Sequence, residues 1–137
     1  MDLFSGGTSD RPEGEIEFQA DDGLLRAIHR DWVDEDGTVH WKAFQNPGQP
    51  PSDRMSVGAE ALATPVEVLA PLAGFRFWHG DRHYVGRVTV GFCRSLKQTI
   101  EHTEQPGYFG HCDVVGEKDL DISLKLADSC ELVFNEA

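Results

Sequence analysis

The chain has 137 residues, of which 24 are Asp or Glu and 12 are Lys or Arg, so its formal charge is −12 with histidine neutral. That length supports one hydrophobic core, burying about two-thirds of the unfolded-chain surface, and folding requires no metal or disulfide staple. No apolar run approaches the roughly 18 residues of a bilayer span, and so acidic a chain repels a phosphate backbone, which argues against a membrane role and against direct nucleic-acid backbone binding.

Half of the excess charge sits at the start. Residues 1–23 hold Asp2, Asp10, Glu13, Glu15, Glu17, Asp21 and Asp22 against Arg11 alone, or 1 − 7 = −6. Residues 1–13 are expected to form a flexible acidic leader, and residues 14–137 a single α+β domain with a small mixed or antiparallel sheet and two or three helices. The start lacks the basic and apolar regions of a secretory signal, and Cys93, Cys112 and Cys130 show no C-x-x-C spacing. Both features predict a cytoplasmic protein with reduced thiols serving as core filler.

In chain order, Glu15 to Phe18 alternates like a short edge strand. Leu24 or Leu25, Ile28 and Trp32 fall at helical spacing and favour a short helix over a strand. Asp34-Glu35-Asp36-Gly37 supplies a turn, after which Thr38 to Phe44 alternates as a strand with Val39, Trp41 and Ala43 inward. Residues 45–53, with three prolines and a glycine, form a surface loop. Thr64-Pro65-Val66-Glu67 is a complete helix start: a cap, a proline at the first helical position and a glutamate that reaches back. That helix is predicted from Pro65 to about Ala73, with Val66, Leu69, Ala70 and Ala73 inward. Gly80-Asp81 predicts a tight hairpin joining Phe75–His79 to Arg82–Val90. Phe92, Cys93 and Leu96 suggest one or two helical turns, followed by strands at 98–103 and 111–115. The segment 119–126 alternates like a strand but has helical composition, and helix is preferred before a terminal strand at 132–134.

Few motifs carry chemistry. His79-x-x-x-His83 has a metal-like spacing but spans the predicted turn with no H-E-x-x-H or C-x-x-C beside it. Aligning Gly37 with the sixth position of a calcium loop puts Trp32 first and Ala43 twelfth, and neither can ligate calcium. No metal and no cofactor are expected. Phosphate-loop, dinucleotide and G-x-S-x-G signatures are absent from the sequence. Ser56 follows the proline loop. Arg26, His29 and His111 are the candidate catalytic residues should the protein be an enzyme, histidine as general base and arginine as an anion holder.

The string Arg26-Ala27-Ile28-His29-x-x-Trp32-Val33, followed by Asp36-Gly37, Ala43-Phe44, Ser56-Val57 and His111 with Gly116, resembles a group of small uncharacterised bacterial proteins. The likeness covers roughly residues 24–134, departs at Phe75 to His83, and implies no activity. Beside it, the sequence supports a non-catalytic interaction or accessory module of a bacterial cytoplasmic system. Phe75, Phe77, Trp78 and Tyr84 would anchor a protein partner, and the acidic surface would favour a basic one. The alternative is a small histidine-dependent enzyme acting on a phosphate or nucleotide ester, and a third is an acidic mimic of nucleic acid.

Overall fold

The computed structural model describes residues 17–48, 52–70 and 83–135. Six strands run through them: β1 (Gly23–His29), β2 (Arg54–Ala59), β3 (His83–Thr89), β4 (Thr99–His102), β5 (His111–Val115) and β6 (Glu131–Asn135). The helices are α1 (Pro65–Leu69), α2 (Val90–Ser95) and α3 (Leu120–Ser129), and short 3-10 turns occupy Arg30–Trp32 and Trp41–Phe44. The strands form one sheet in the order β4-β5-β2-β1-β3-β6, every neighbour antiparallel. The fold is α+β, as composition and element pattern predict.

Strand alternation sorts side chains onto two faces. Leu24, Ile28, Met55, Val57, Val88, Cys112 and Val114 point to one, where Ala43, Phe44, Cys93, Leu126 and Ala127 close the main core over them. Leu25 and Val85 point to the other and pack with Ala63, Val68, Leu69 and Tyr108. Strand β1 therefore carries apolar residues on both sides, as a central strand does when both sheet faces are covered. This corrects the helix expected at 24–32: Leu24, Leu25 and Ile28 fit either a helical face or a two-sided strand, and pairing with β3 along all seven residues decides for the strand.

The strand expected at 38–44 is also corrected. Val39 makes an isolated bridge to Val33, and Trp41–Phe44 is a 3-10 turn capped by the His40 ring, whose Nδ1 accepts the Lys42 N–H at 3.1 Å. Ala43 and Phe44 are buried beneath α3, where the Ser123 hydroxyl donates to the Phe44 carbonyl at 2.6 Å; Trp41 stays half-buried. Residues 17–18, the described part of the expected edge strand at 15–18, belong to no strand.

At α1 the full capping box forms: the Thr64 hydroxyl accepts the Glu67 N–H at 3.2 Å, and the Glu67 carboxylate accepts the Thr64 N–H at 2.8 Å. The inward residues are Val68 and Leu69, whereas Val66 is 63 % exposed and Ala70 is also exposed. The predicted extension to Ala73, the Phe75–His79 arm of the hairpin and the acidic leader lie outside the described residues. Strands β3 to β6 and helices α2 and α3 occur where expected, α3 capped by the Asp119 carboxylate at the Ile122 N–H, 2.9 Å. Cys93 and Cys112 are buried and Cys130 half-buried, all as free thiols. No described helix is long and apolar enough to cross a membrane.

Candidate functional site

Strand β2, which no sequence pattern announced, organises the polar half of the sheet. It pairs with β5 in a register that sets Ser56 opposite Asp113 and Gly58 opposite His111. Ser56 and His111 are thus diagonal neighbours on the same face, within reach of one another's side chains. The Nε2 of His111 lies 3.2 Å from the Ser56 hydroxyl. On the far side of the ring, Nδ1 lies 3.0 Å from the Thr103 carbonyl and 2.9 Å from the Thr103 hydroxyl. In the tautomer with the proton on Nδ1 the ring donates to the Thr103 carbonyl and Nε2 presents its lone pair to the Ser56 O–H; in the other tautomer the Thr103 hydroxyl donates to Nδ1 and Nε2–H donates to Ser56. His111 is buried at 5 % exposure while Ser56 is exposed. The ring is further held by Tyr108, which meets it edge-on with centroids 5.3 Å apart. Burial raises the Tyr108 phenol above its ordinary value, with Cys112 and Glu67 adding to the shift, so it stays protonated.

Space for Tyr108 depends on Gly58, because a Cβ there would lie 2.6 Å from the phenol oxygen and 2.7 Å from Val68 Cγ2. Beside the serine, Arg54 donates to Asp53, Glu101 and Asp113 at 3.3, 3.2 and 3.3 Å. One guanidinium against three carboxylates, 1 − 3, leaves this group at −2.

The three candidate catalytic residues do not gather in one place. His111 reaches the Ser56 hydroxyl. Arg26 approaches the same residue from the core side of β1, donating through Nη1 to the Ser56 carbonyl at 2.8 Å and through Nε to the Ala43 carbonyl at 2.9 Å. His29 stands three residues further along β1, about 10 Å away at strand spacing. Its Nδ1 accepts the Asp31 N–H at 3.1 Å, and its ring lies 5.9 Å from that of His83, its partner in β3. Ser56, which the sequence placed only as following a loop, is the residue that joins Arg26 to His111.

Of the expected partner anchors, Phe75, Phe77 and Trp78 lie outside the described residues, and Tyr84 is half-buried against the main core. Among the described residues no group of three or more His, Cys, Asp or Glu side chains is placed to hold a metal ion. His79 is outside them, His83 faces His29, and His102 donates from Nε2 to the Phe109 carbonyl at 2.7 Å. No family model, curated protein or solved structure matches this chain. The reading of function therefore rests on the geometry of Ser56, His111 and their neighbours.

Proposed function

We propose that the protein is a small hydrolase of carboxylic esters, with Ser56 as nucleophile and His111 as general base. The observation that carries this is the placement of the His111 ring: one nitrogen lies against Thr103, whose carbonyl accepts Nδ1–H in the reactive tautomer, and the other meets an exposed serine hydroxyl at 3.2 Å. Nucleophile, base and a group that orients the base are thereby in line. As the Ser56 Oγ attacks the acyl carbonyl, its proton passes to Nε2, and the Thr103 carbonyl stabilises the imidazolium through Nδ1–H. The departing alcohol takes the proton from Nε2, leaving an acyl-serine. Water then attacks that ester, giving its proton to Nε2, and the carboxylic acid leaves as the Ser56 hydroxyl is restored.

The neighbouring charges favour a neutral or cationic ester over the phosphate or nucleotide ester of the sequence's enzyme alternative, and the Ser56–His111 pair favours an enzyme over the non-catalytic module that the sequence put first. Arg54 is engaged by three carboxylates, and the net −2 of that group repels a phosphate approaching Ser56 from this face. The test is steady-state hydrolysis of 4-nitrophenyl acetate by the wild type, Ser56→Ala and His111→Gln. Removing either partner should lower kcat by about 10²-fold or more, with far-ultraviolet circular dichroism unchanged. Equal rates in all three proteins would overturn the assignment.

A further inference from the structure

A second feature lies on the core side of β2, and it stands whether or not Ser56 reacts. Strands β1 and β2 pair only at Leu24–Ala59 and Leu25–Gly58. Arg26, the next residue, spans the gap that follows, its guanidinium fixed by the Ala43 and Ser56 carbonyls. Those two bonds use two of the five N–H groups a guanidinium carries, leaving three. No carboxylate lies within ion-pair distance of Arg26 among the described residues, although the chain has 24 acids and Arg54, Arg87 and Lys125 each have at least one. None of the Arg26 nitrogens is among the fully enclosed, unpartnered polar atoms, and the residue is only half-buried.

A second cation nearby shares the peculiarity. The Lys118 ammonium donates to the Asn46 Oδ1 at 2.7 Å and to the Val114 and Gly116 carbonyls at 2.9 and 3.0 Å, neutral oxygens all. Those three bonds exhaust its hydrogens, so it contributes charge to the neighbourhood and no free donor. Burial lowers Arg26 to about 10 and Lys118 to about 8; at Lys118 the charge of Arg26 adds to the lowering, while Cys93, Asp53 and Asp113 pull the other way. Two neighbouring like charges hydrogen-bonded only to neutral oxygens are costly to fold around, and a bound anion relieves both.

We propose that the free edge of the Arg26 guanidinium binds a small oxyanion, a carboxylate or phosphoryl group, in the gap between the 41–44 turn and β2. The planar fork suits two oxygens of one such group, while Lys118 strengthens the local field without touching the ligand. The anion would sit against the main chain of Ala43 and Ser56, on the opposite side of β2 from the Ser56 hydroxyl and from the acidic group around Arg54.

The experiment is nuclear magnetic resonance of 15N-labelled protein, following the arginine Nε–H and backbone signals. Sodium phosphate and sodium acetate would be titrated in turn against sodium chloride at matched ionic strength. The proposal expects saturable shifts of the Arg26 Nε–H and of the Ala43, Phe44 and Ser56 amides with at least one of the two oxyanions, phosphate alone or acetate alone identifying the preferred class. Arg26→Gln should abolish saturation, and Lys118→Met should weaken binding about fivefold through loss of its field. Should Arg26→Gln fail to fold, the wild-type Arg26 signal still decides. The proposal is overturned if that signal responds to neither oxyanion beyond chloride, or if saturable shifts map instead to the capped starts of α1 and α3.

Discussion

Gly58→Ala perturbs the site through its packing alone. A Cβ at residue 58 would lie 2.6 Å from the Tyr108 oxygen and 2.7 Å from Val68 Cγ2, closer than real Cβ contacts come. Residue 58 sits in mid-strand, and its backbone is not in the left-handed region, so alanine is allowed conformationally and even reduces the freedom of the unfolded chain. That entropic gain is about 0.5–1 kcal/mol, whereas forcing a methyl into a filled space costs about 1–3 kcal/mol. The net expectation is a loss of about 1–2 kcal/mol, because Tyr108 and Val68 are both buried and neither has room to retreat. In urea denaturation, at about 1.5 kcal/mol/M for a domain of this size, the midpoint should fall by roughly 1 M with an unchanged slope. Displaced Tyr108 should also release the His111 ring, lowering any Ser56-dependent ester hydrolysis. The matched control is Gly23→Ala, whose new methyl meets the flexible side-chain ends of exposed Glu60 and half-buried Arg87, which can move aside. If Gly58→Ala is no more costly than Gly23→Ala, the close approach of Tyr108 is not what keeps residue 58 a glycine.

Thr64→Ala removes one half of the capping box at α1 and should cost about 1 kcal/mol in the same assay. Burial holds the thiols of Cys93, Cys112 and Cys130 protonated, pushing them up to about 11, 12 and 11 from an ordinary 9. Because these folded values exceed the unfolded one, the unfolded chain alone ionises above pH 9, so stability should fall from there towards pH 11–12. Lys118 acts in the opposite sense: its folded value of about 8 lies below 10.5, so the cost of its buried charge is present below pH 8 and is relieved as pH rises to 10.5. Denaturation midpoints should accordingly rise slightly between pH 8 and 9 and decline beyond, and Lys118→Met should lose the rise while keeping the decline. Cys93 and Cys112, being buried, should resist a thiol reagent at pH 7.5 until the chain unfolds, whereas prompt reaction would contradict their burial.

The legible parts of the fold are those whose signals are local. Thr64, Pro65 and Glu67 fix a helix start within four residues, and Asp119 and the composition behind it favour α3 despite an alternating pattern. Strand β5 is bounded by Gly110 and Gly116, and its apolar residues need no distant partner to be recognised. Strand β1 defeats the same reasoning because a central strand covered on both faces loses its alternation. In the 41–44 turn, residues that alternate on paper are wound by the His40 cap, a hydrogen bond no periodicity records. Strand β2 carries no comparable local signal, because it follows a proline-rich loop and has Ser56 and Gly58 on one face.

The site was legible only in its ingredients. Arg26 and His111 stand out as a cation and a base in apolar surroundings, but the residue that unites them lies 30 positions from one and 55 from the other. Only the register of β2 on β5 puts Ser56 beside His111, and a shift by one residue would turn the serine to the opposite face. His29, equally prominent in sequence, is carried away by the length of β1.

The central claim is that Ser56 is a nucleophile activated by His111, and its most direct measurement is covalent labelling with a fluorophosphonate followed by peptide mass spectrometry. A single phosphonyl adduct on Ser56 is expected at neutral pH, formed at least about 10²-fold more slowly in His111→Gln. An adduct elsewhere, no adduct at all, or a Ser56 adduct whose rate ignores His111 would contradict it.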